Sequence, residues 1–384
     1  MNASPRWLAL DALRAISVIG MLLNLNPGSW EWQFSWLFHA EWIGWTLIDM
    51  VFPGFLFCVG VALALSLDGR VRAGATRSAL TLQLLRRGVI LVIVGVLLNA
   101  YPVFDWSHVR LPGVLQRIGI CGAMVGLLLL LTSRFERGRG LEMRPGVIAA
   151  VSIGILVLYW ALLYFVPAPG YGAPRFDSVG SWPVVIDREL FGLQHLWIYG
   201  TTEGLVTYDP EGLLSTFPAC VNVMAGVLTA YWIRQRPVQQ PAFAAVVAGA
   251  GMMLLAIALE GWCPISKKLW TSTFALLSSG FSLVLLGMLT TLLKRSVEPR
   301  WMLPLQVFGA NALLAYIVCN AIAPLLDMNL FADPAAASIR QAGFAALGTF
   351  LPSAWASFVF SLIVLGLIFA VLLPLYRRRW FIRL

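Results

Sequence analysis

Apolar residues run along this chain in stretches of about twenty, and the polar and charged residues are gathered between them. The stretches are Leu8–Leu25, Leu47–Leu67, Leu80–Asn99, Val114–Thr132, Gly146–Val166, Gly212–Trp232, Ala242–Trp262, Leu269–Leu293, Met302–Leu326 and Ala354–Tyr376. A helix rising 1.5 Å per residue needs about that length to cross a bilayer. The pattern therefore predicts an all-α polytopic membrane protein with about ten transmembrane helices. The first stretch carries Asp11 and Arg14, and no small-residue cleavage site follows it, so it reads as a retained helix rather than a signal peptide.

Composition sharpens this picture. The 384 residues are 59% hydrophobic and 12% charged, with a mean hydropathy of +0.81. A soluble domain carries about 25% charged residues. The net charge of +9 would fit a nucleic-acid binder, but its distribution argues against one. Of 27 lysines and arginines, only Arg110, Arg175, Arg188, Lys267, Lys268 and Arg340 fall on one side of the predicted spans. Arg14 and Arg117 fall inside helices, and all the others lie on the side of the two termini. By the positive-inside rule both termini are expected to be cytoplasmic. The basic surplus is then a matter of topology, and the expected partner is the lipid bilayer, with no nucleic acid.

On this topology Asn26–Thr46, Ala100–Gly113, Pro167–Glu211, Cys263–Lys268 and Asp327–Ser353 face outward. They are longer than the basic turns and richer in Trp, Gly and Pro, so the chemistry is expected to open outward. No fixed repeat or linker is visible. The chain reads as one integral-membrane domain over residues 1–384, with 167–211 as a long periplasmic loop within it. Cys58, Cys121, Cys220, Cys263 and Cys319 have neither metal nor disulfide spacing and read as small buried hydrophobes. An apolar surface of this extent is compatible with a homodimer, and nothing specifies one.

Ionisable groups within a membrane are costly and usually line an interior or a cavity. Asp11 and Arg14 stand three apart on one helix face, close enough to pair. Asp49 opens the second helix, where an acid serves either the helix start or catalysis. Arg117 follows an outward loop near a helix N-terminus, where a cation gains nothing from the dipole and calls for an acidic partner or an anionic ligand. Asp209 and Glu211 precede the sixth helix and would cap it by default. His39, His108 and His195 are the three histidines, with no metal-ligand spacing among them. His39 lies in the aromatic-rich segment Leu37–Thr46, whose apolar walls can bring an imidazole into catalytic range.

Several pieces of the sequence carry a resemblance. They are Arg6…Leu10-Asp11…Arg14; Asn26-Pro27-Gly28-Ser29-Trp30; and the run from His39 through Trp42, Gly44-Trp45-Thr46 and Asp49 to Val51-Phe52-Pro53-Gly54-Phe55-Leu56-Phe57. Gly113–Ile118, Asp209–Thr216, Pro264–Ser272 and Gly309–Leu313 complete them in order. On these motifs the chain resembles the heparan-α-glucosaminide N-acetyltransferase family, including its bacterial NagX-like members, over nearly its whole length. The resemblance implies that acetyl from cytoplasmic acetyl-CoA, a co-substrate, reaches an amino sugar on the far side of a bacterial inner membrane, without a metal. The family's catalytic histidine falls on His39. The chain departs from the family pattern at Ala15, where a glycine is usual, and at Leu25, where an asparagine is usual and Asn24 and Asn26 flank the position.

In this reading His39 acts as general base or as nucleophile, Asn26 or Asn24 stabilises the oxyanion, and Asp49 orients the imidazole. Asp11, Arg14, Arg86, Arg87 and Arg117 are the candidates for holding the coenzyme. Asn24, Trp42, Trp45, Glu211, Ser215, Lys267, Lys268, Trp270 and Asn311 are the candidates for binding a glucosamine or small glycan. Two other classes remain open: an amino-sugar transporter without transferase activity, and a glycan O-acyltransferase.

Overall fold

The computed structural model describes residues 7–136, 138, 140–235, 241–293, 302–329 and 337–381. Arg6, Arg137, Arg139, Arg236, Lys294, Arg295, Arg300 and Arg383, which entered the charge argument, lie outside the described residues, as do residues 330–336 of the loop Asp327–Ser353.

The chain is helical almost throughout. In order the helices are α1 (Leu8–Leu25), α2 (Val51–Arg72, led in by a 3-10 turn at Leu47–Met50), α3 (Arg77–Ala100), α4 (Val114–Thr132), α5 (Pro145–Phe165), α6 (Trp182–Phe191), α7 (Thr216–Arg234), α8 (Pro241–Ala258), α9 (Ser272–Leu292), α10 (Leu303–Ala310), α11 (Ala312–Asp327), α12 (Ile339–Gly348) and α13 (Ser353–Arg377). Eight of these are long and apolar enough to cross a membrane: α1, α2 with its lead-in turn, α3, α4, α5, α7, α9 and α13. The ninth predicted stretch is present as α10 and α11, bent by 85° at Asn311. The seventh is the shorter α8. The protein is a polytopic, multi-pass membrane protein.

Local chemistry explains the helix ends. Thr76 caps α3, its Oγ1 accepting from the Ala79 N–H at 3.3 Å. Ser338 and Gln341 form a reciprocal capping box at the start of α12. Prolines stand in the first turns of α5, α6 and α10, where their missing N–H costs nothing. The predicted start of the sixth span at Gly212 moves to Thr216, because Asp209 through Ser215 make a turn instead. The short helices α6 and α12 lie in segments read from sequence as loops.

The residues fall into two compact units. One comprises Met1–His39, Thr46–Phe55 and Leu289–Arg383. Its core joins Ala15, Val18 and Leu22 of α1 to Val307 and Phe308 of α10, Ala315 and Cys319 of α11, and Phe360, Val364 and Ile368 of α13. The chain leaving α1 is pinned to α13: Gly28 N–H donates to Ser357 O at 3.2 Å, and Ser29 N–H to Ser357 Oγ at 3.0 Å. A Cβ on Gly28 would stand 2.9 Å from the Phe360 Cβ and the Ser357 Cα, so only glycine fits there.

The other unit comprises Ala40–Trp45 and Leu56–Met288. Within it α3 packs along α4, and α7 packs on both α4 and α5. Gly88 and Gly119 let α3 and α4 approach closely, as small residues do between membrane helices. Asn222 of α7, fully buried, donates to Ser278 and Ser279 Oγ at 2.9 Å and accepts from the Trp270 indole at 2.9 Å.

Candidate functional site

In the first unit α1 ends one residue past Asn24, and the chain returns through Phe38-His39 before the turn that starts α2. Asp49, 0% exposed, sits in that turn and divides its two carboxylate oxygens. Oδ2 accepts from the Thr46 backbone N–H at 2.9 Å and lies 3.0 Å from the Thr46 hydroxyl, which caps the turn. Oδ1 lies 2.6 Å from His39 Nδ1. The helix-start and catalytic readings of Asp49 are thus not exclusive, because one oxygen serves each contact.

An ionised carboxylate can only accept, so Nδ1 carries the ring proton and Nε2 keeps its lone pair. Nε2 faces the Asn24 amide nitrogen at 3.0 Å. The His39 side chain is 36% exposed while its aspartate partner is sealed. The geometry gives an imidazole held in one tautomer, with its basic atom on the open side and an amide N–H beside that atom. Such a group can take a proton or form a bond to an acyl carbon.

Asn26 faces elsewhere. It is fully buried, and its amide nitrogen donates to Cys319 O at 3.3 Å and to Cys319 Sγ at 3.0 Å. Its Oδ1 accepts from Arg340 Nη2 at 3.4 Å. Arg340, itself buried, also donates to Pro27 O at 2.5 Å and to both Asp327 oxygens, at 2.6 and 3.1 Å. This network fixes the turn that follows Asn24. Arg340 entered the sequence reading only as an outward basic residue, and its partners Asn26 and Pro27 stand more than 300 residues away, where no spacing rule reaches. Asn311, 1% exposed at the break between α10 and α11, buries both its amide oxygen and its amide nitrogen without a hydrogen-bond partner. Asp11 and Arg14 pair on α1, and Arg14 Nε is buried without a partner.

In the second unit two arginines, Arg110 half-buried and Arg117 buried, sit in polar networks. Arg110 forks onto Asp209, Nε to Oδ2 at 2.8 Å and Nη2 to Oδ1 at 2.7 Å, and Nη2 also reaches Glu211 Oε2 at 2.5 Å. Asp209 and Glu211 therefore hold Arg110, and this pairing keeps the arginine's pKa above its ordinary value. Arg117, 1% exposed, donates from Nη2 to Gly212 O at 2.9 Å and to Ser215 Oγ, and its guanidinium lies 4.9 Å from the Trp270 ring centre. No carboxylate pairs with Arg117 among the described residues, and its Nε and Nη1 are buried without partners. Trp270, 0% exposed and at φ +51°, lies beneath this arginine and offers no open ring face to a sugar. Trp42 packs edge-on against Tyr208 at 4.8 Å and donates from its indole to Phe176 O at 2.5 Å. The Lys268 ammonium lies 5.3 Å from the Tyr208 ring and donates to Glu41 O.

Two curated proteins align with most of the chain. One is the heparan-alpha-glucosaminide N-acetyltransferase of Mus musculus, 27% identical over 357 residues, and the other is the protein of the same description from Homo sapiens, 28% identical over 354 residues. The chain is a relative of the heparan-alpha-glucosaminide N-acetyltransferases. The alignments cover 82% of this chain and 53% and 52% of the two proteins, so the chain spans about half the length of the curated relatives it matches. No family model matches the chain. The relationship to these acetyltransferases agrees with the motif resemblance in the sequence.

The structure brings His39, Asp49 and Asn24 together, and separately Arg117, Ser215 and Trp270. Trp45 is exposed, Lys267 is half-buried, and Arg86 and Arg87 lie on the exposed side of α3. One group escaped the sequence reading altogether. Asp187 of α6 is buried, its Oδ1 accepting from the Leu213 N–H at 2.8 Å. Burial pushes its pKa up from 3.8 to about 7. The folded protein therefore binds a proton at Asp187 that the unfolded chain has released, in the window between those two values. Stability contributed here falls as pH rises through that window, and the penalty is complete above it. Asp187→Asn keeps the acceptor oxygen and removes the charge. Its melting temperature in detergent is expected to exceed that of the wild type at pH 8, with the gap narrowing as pH falls to 5; a gap that does not change between the two pH values would refute the assignment.

Proposed function

We propose that this protein is a transmembrane acetyltransferase that moves acetyl from acetyl-CoA to the amine of a glucosamine-type sugar. The observation that carries the reading is the alignment Asp49–His39–Asn24, a sealed carboxylate fixing a part-exposed imidazole whose basic nitrogen faces the Asn24 amide. The two relatives, both N-acetyltransferases named for a glucosaminide, support the reaction class. With both termini cytoplasmic in a bacterial inner membrane, the coenzyme arrives from the cytoplasm, and free glucosamine or a small glycan fragment arrives from the far side.

An amine attacks a thioester only when unprotonated. His39 Nε2 takes one proton from the acceptor ammonium and releases it to water, and the freed amine nitrogen bonds to the thioester carbonyl carbon. As the C–S bond breaks, a second proton passes from that nitrogen through Nε2 to the leaving sulfur, so the products are the N-acetyl sugar, free CoA and one proton. Asn24 N–H, rather than the buried Asn26, is the donor available to the oxyanion, a contribution of about 3 kcal/mol. Asn26 and Arg340 set the turn that presents Asn24. Arg14 is the proposed contact for coenzyme phosphate, with Asp11 positioning it. Trp42, Trp45, Glu211, Lys267 and Lys268 are the proposed contacts for the acceptor.

The same lone pair allows Nε2 to attack the thioester itself and carry the acetyl before the amine takes it. Incubation with radiolabelled acetyl-CoA alone, followed by rapid quenching and peptide mapping, separates the routes. Label on the peptide holding His39 establishes the carrier route, and unlabelled protein that still forms N-acetyl sugar establishes direct transfer. Protein that neither takes up label nor forms product would refute the reading.

A further inference from the structure

Arg87 has a feature that acetyl transfer does not use. It stands in the first half of α3, a membrane-spanning helix, yet it makes no hydrogen bond or ion pair among the described residues. The charged group beside it is Arg70 of α2, of the same sign. Arg70 donates to Gln83, one turn before Arg87, which places this pair near the end of the bundle where α2 stops and α3 begins. The side chain of a helical residue leans toward the helix N-terminus, so Arg87 leans the same way. Two cations near a membrane interface without a carboxylate call for an anion.

Next to Arg87 the helices leave a cleft. It is a shallow groove bounded by α2, α3 and α4. Val59, Leu63, Leu91 and Ile118 make its apolar walls, while Gly119 and Gly122 leave the room. On α3 the neighbouring Leu82, Leu85, Val89 and Ile93 are exposed, which makes this the lipid-facing side of the unit. A cation pair at one end of an apolar cleft that opens toward lipid matches one occupant: the phosphate of an anionic phospholipid on the arginines, with part of an acyl chain lying along the glycines.

We infer that Arg87 and Arg70, together with the cleft between α2, α3 and α4, form a site for an anionic phospholipid, independent of the acetyl-transfer reading. The site assigns Arg87 to lipid phosphate instead of coenzyme phosphate. Gly122 offers a test of the apolar half, because it lines the groove and a Cβ there meets only Val59 Cγ1 at 3.9 Å, so a larger side chain would fill it.

The experiment reads phosphatidylglycerol bound per protein by native mass spectrometry of the full chain in detergent, with phosphatidylcholine as the comparison lipid. Wild type is expected to retain phosphatidylglycerol over phosphatidylcholine, and Arg87→Gln to weaken that retention about tenfold, the usual worth of a charged hydrogen bond. Gly122→Leu is expected to weaken retention of both lipids while leaving the melting temperature unchanged. Removing an unpaired charge from a lipid-facing helix does not threaten folding, so Arg87→Gln is a clean variant. Retention of phosphatidylglycerol by Arg87→Gln at the wild-type level would overturn the proposal, as would equal retention of the two lipids by wild type. Displacement of bound phosphatidylglycerol by inorganic phosphate would make this a free-anion site, and displacement by CoA would return Arg87 to the co-substrate; either result also overturns the lipid assignment.

Discussion

Protein carrying His39→Ala is expected to fold and to lose acetyl transfer to glucosamine, by about 10²–10⁴-fold for the loss of a general base and completely if the imidazole carries the acetyl. The fold should survive because His39 is partly exposed and the first unit is held by the apolar packing of α1, α10, α11 and α13. The local cost falls on Asp49, whose Oδ1 loses its imidazole partner inside a sealed environment. His39→Gln addresses that cost, since its amide can still donate toward the carboxylate but cannot act as a base near neutral pH. Both variants should therefore be inactive, with His39→Gln melting closer to wild type. Rates within about threefold of wild type in either variant, measured as release of CoA thiol, would place the chemistry elsewhere.

Asp49→Asn is the second large effect, and it acts through the tautomer. An asparagine can keep the Thr46 N–H on its oxygen, so the cap on the turn persists. Its nitrogen then faces His39 Nδ1 and donates, which forces the ring proton onto Nε2 and removes the lone pair from the open side. A wrong tautomer behind an intact fold costs up to about 10⁴-fold in kcat in a catalytic triad, and a fall on the order of 10³-fold is expected here. The KM for acetyl-CoA and for glucosamine should stay within about twofold, because neither contact is touched. A rise in KM with kcat unchanged would make Asp49 a substrate contact instead of an orienting group.

Much of this architecture could be read from apolar run length alone, since a bilayer imposes the same span on every crossing. What run length cannot encode is a bend, so α10 and α11 read as one stretch although they meet at 85°. The same limit applies to short helices such as α6, whose ten residues carry no membrane signal. At the site, Asp49 was legible in two roles because an acid at a helix start serves a cap and a partner equally well, and only coordinates show one oxygen on each. Asn24 and Asn26 could not be separated by sequence. They lie two residues apart at the end of α1, and the backbone leaving the helix sends Asn26 inward to Cys319 and Asn24 to His39. Trp270 is a candidate sugar contact by sequence, yet it lies buried under Arg117, a pairing 153 positions apart in the chain that no local pattern predicts.

The measurement that tests the central claim most directly is formation of N-acetylglucosamine from radiolabelled acetyl-CoA and glucosamine by the purified protein in lipid nanodiscs. The account predicts labelled sugar in proportion to CoA released, with none from His39→Ala under the same conditions. Folded wild-type protein that releases no CoA and labels neither glucosamine nor any short glucosamine-bearing glycan would contradict it.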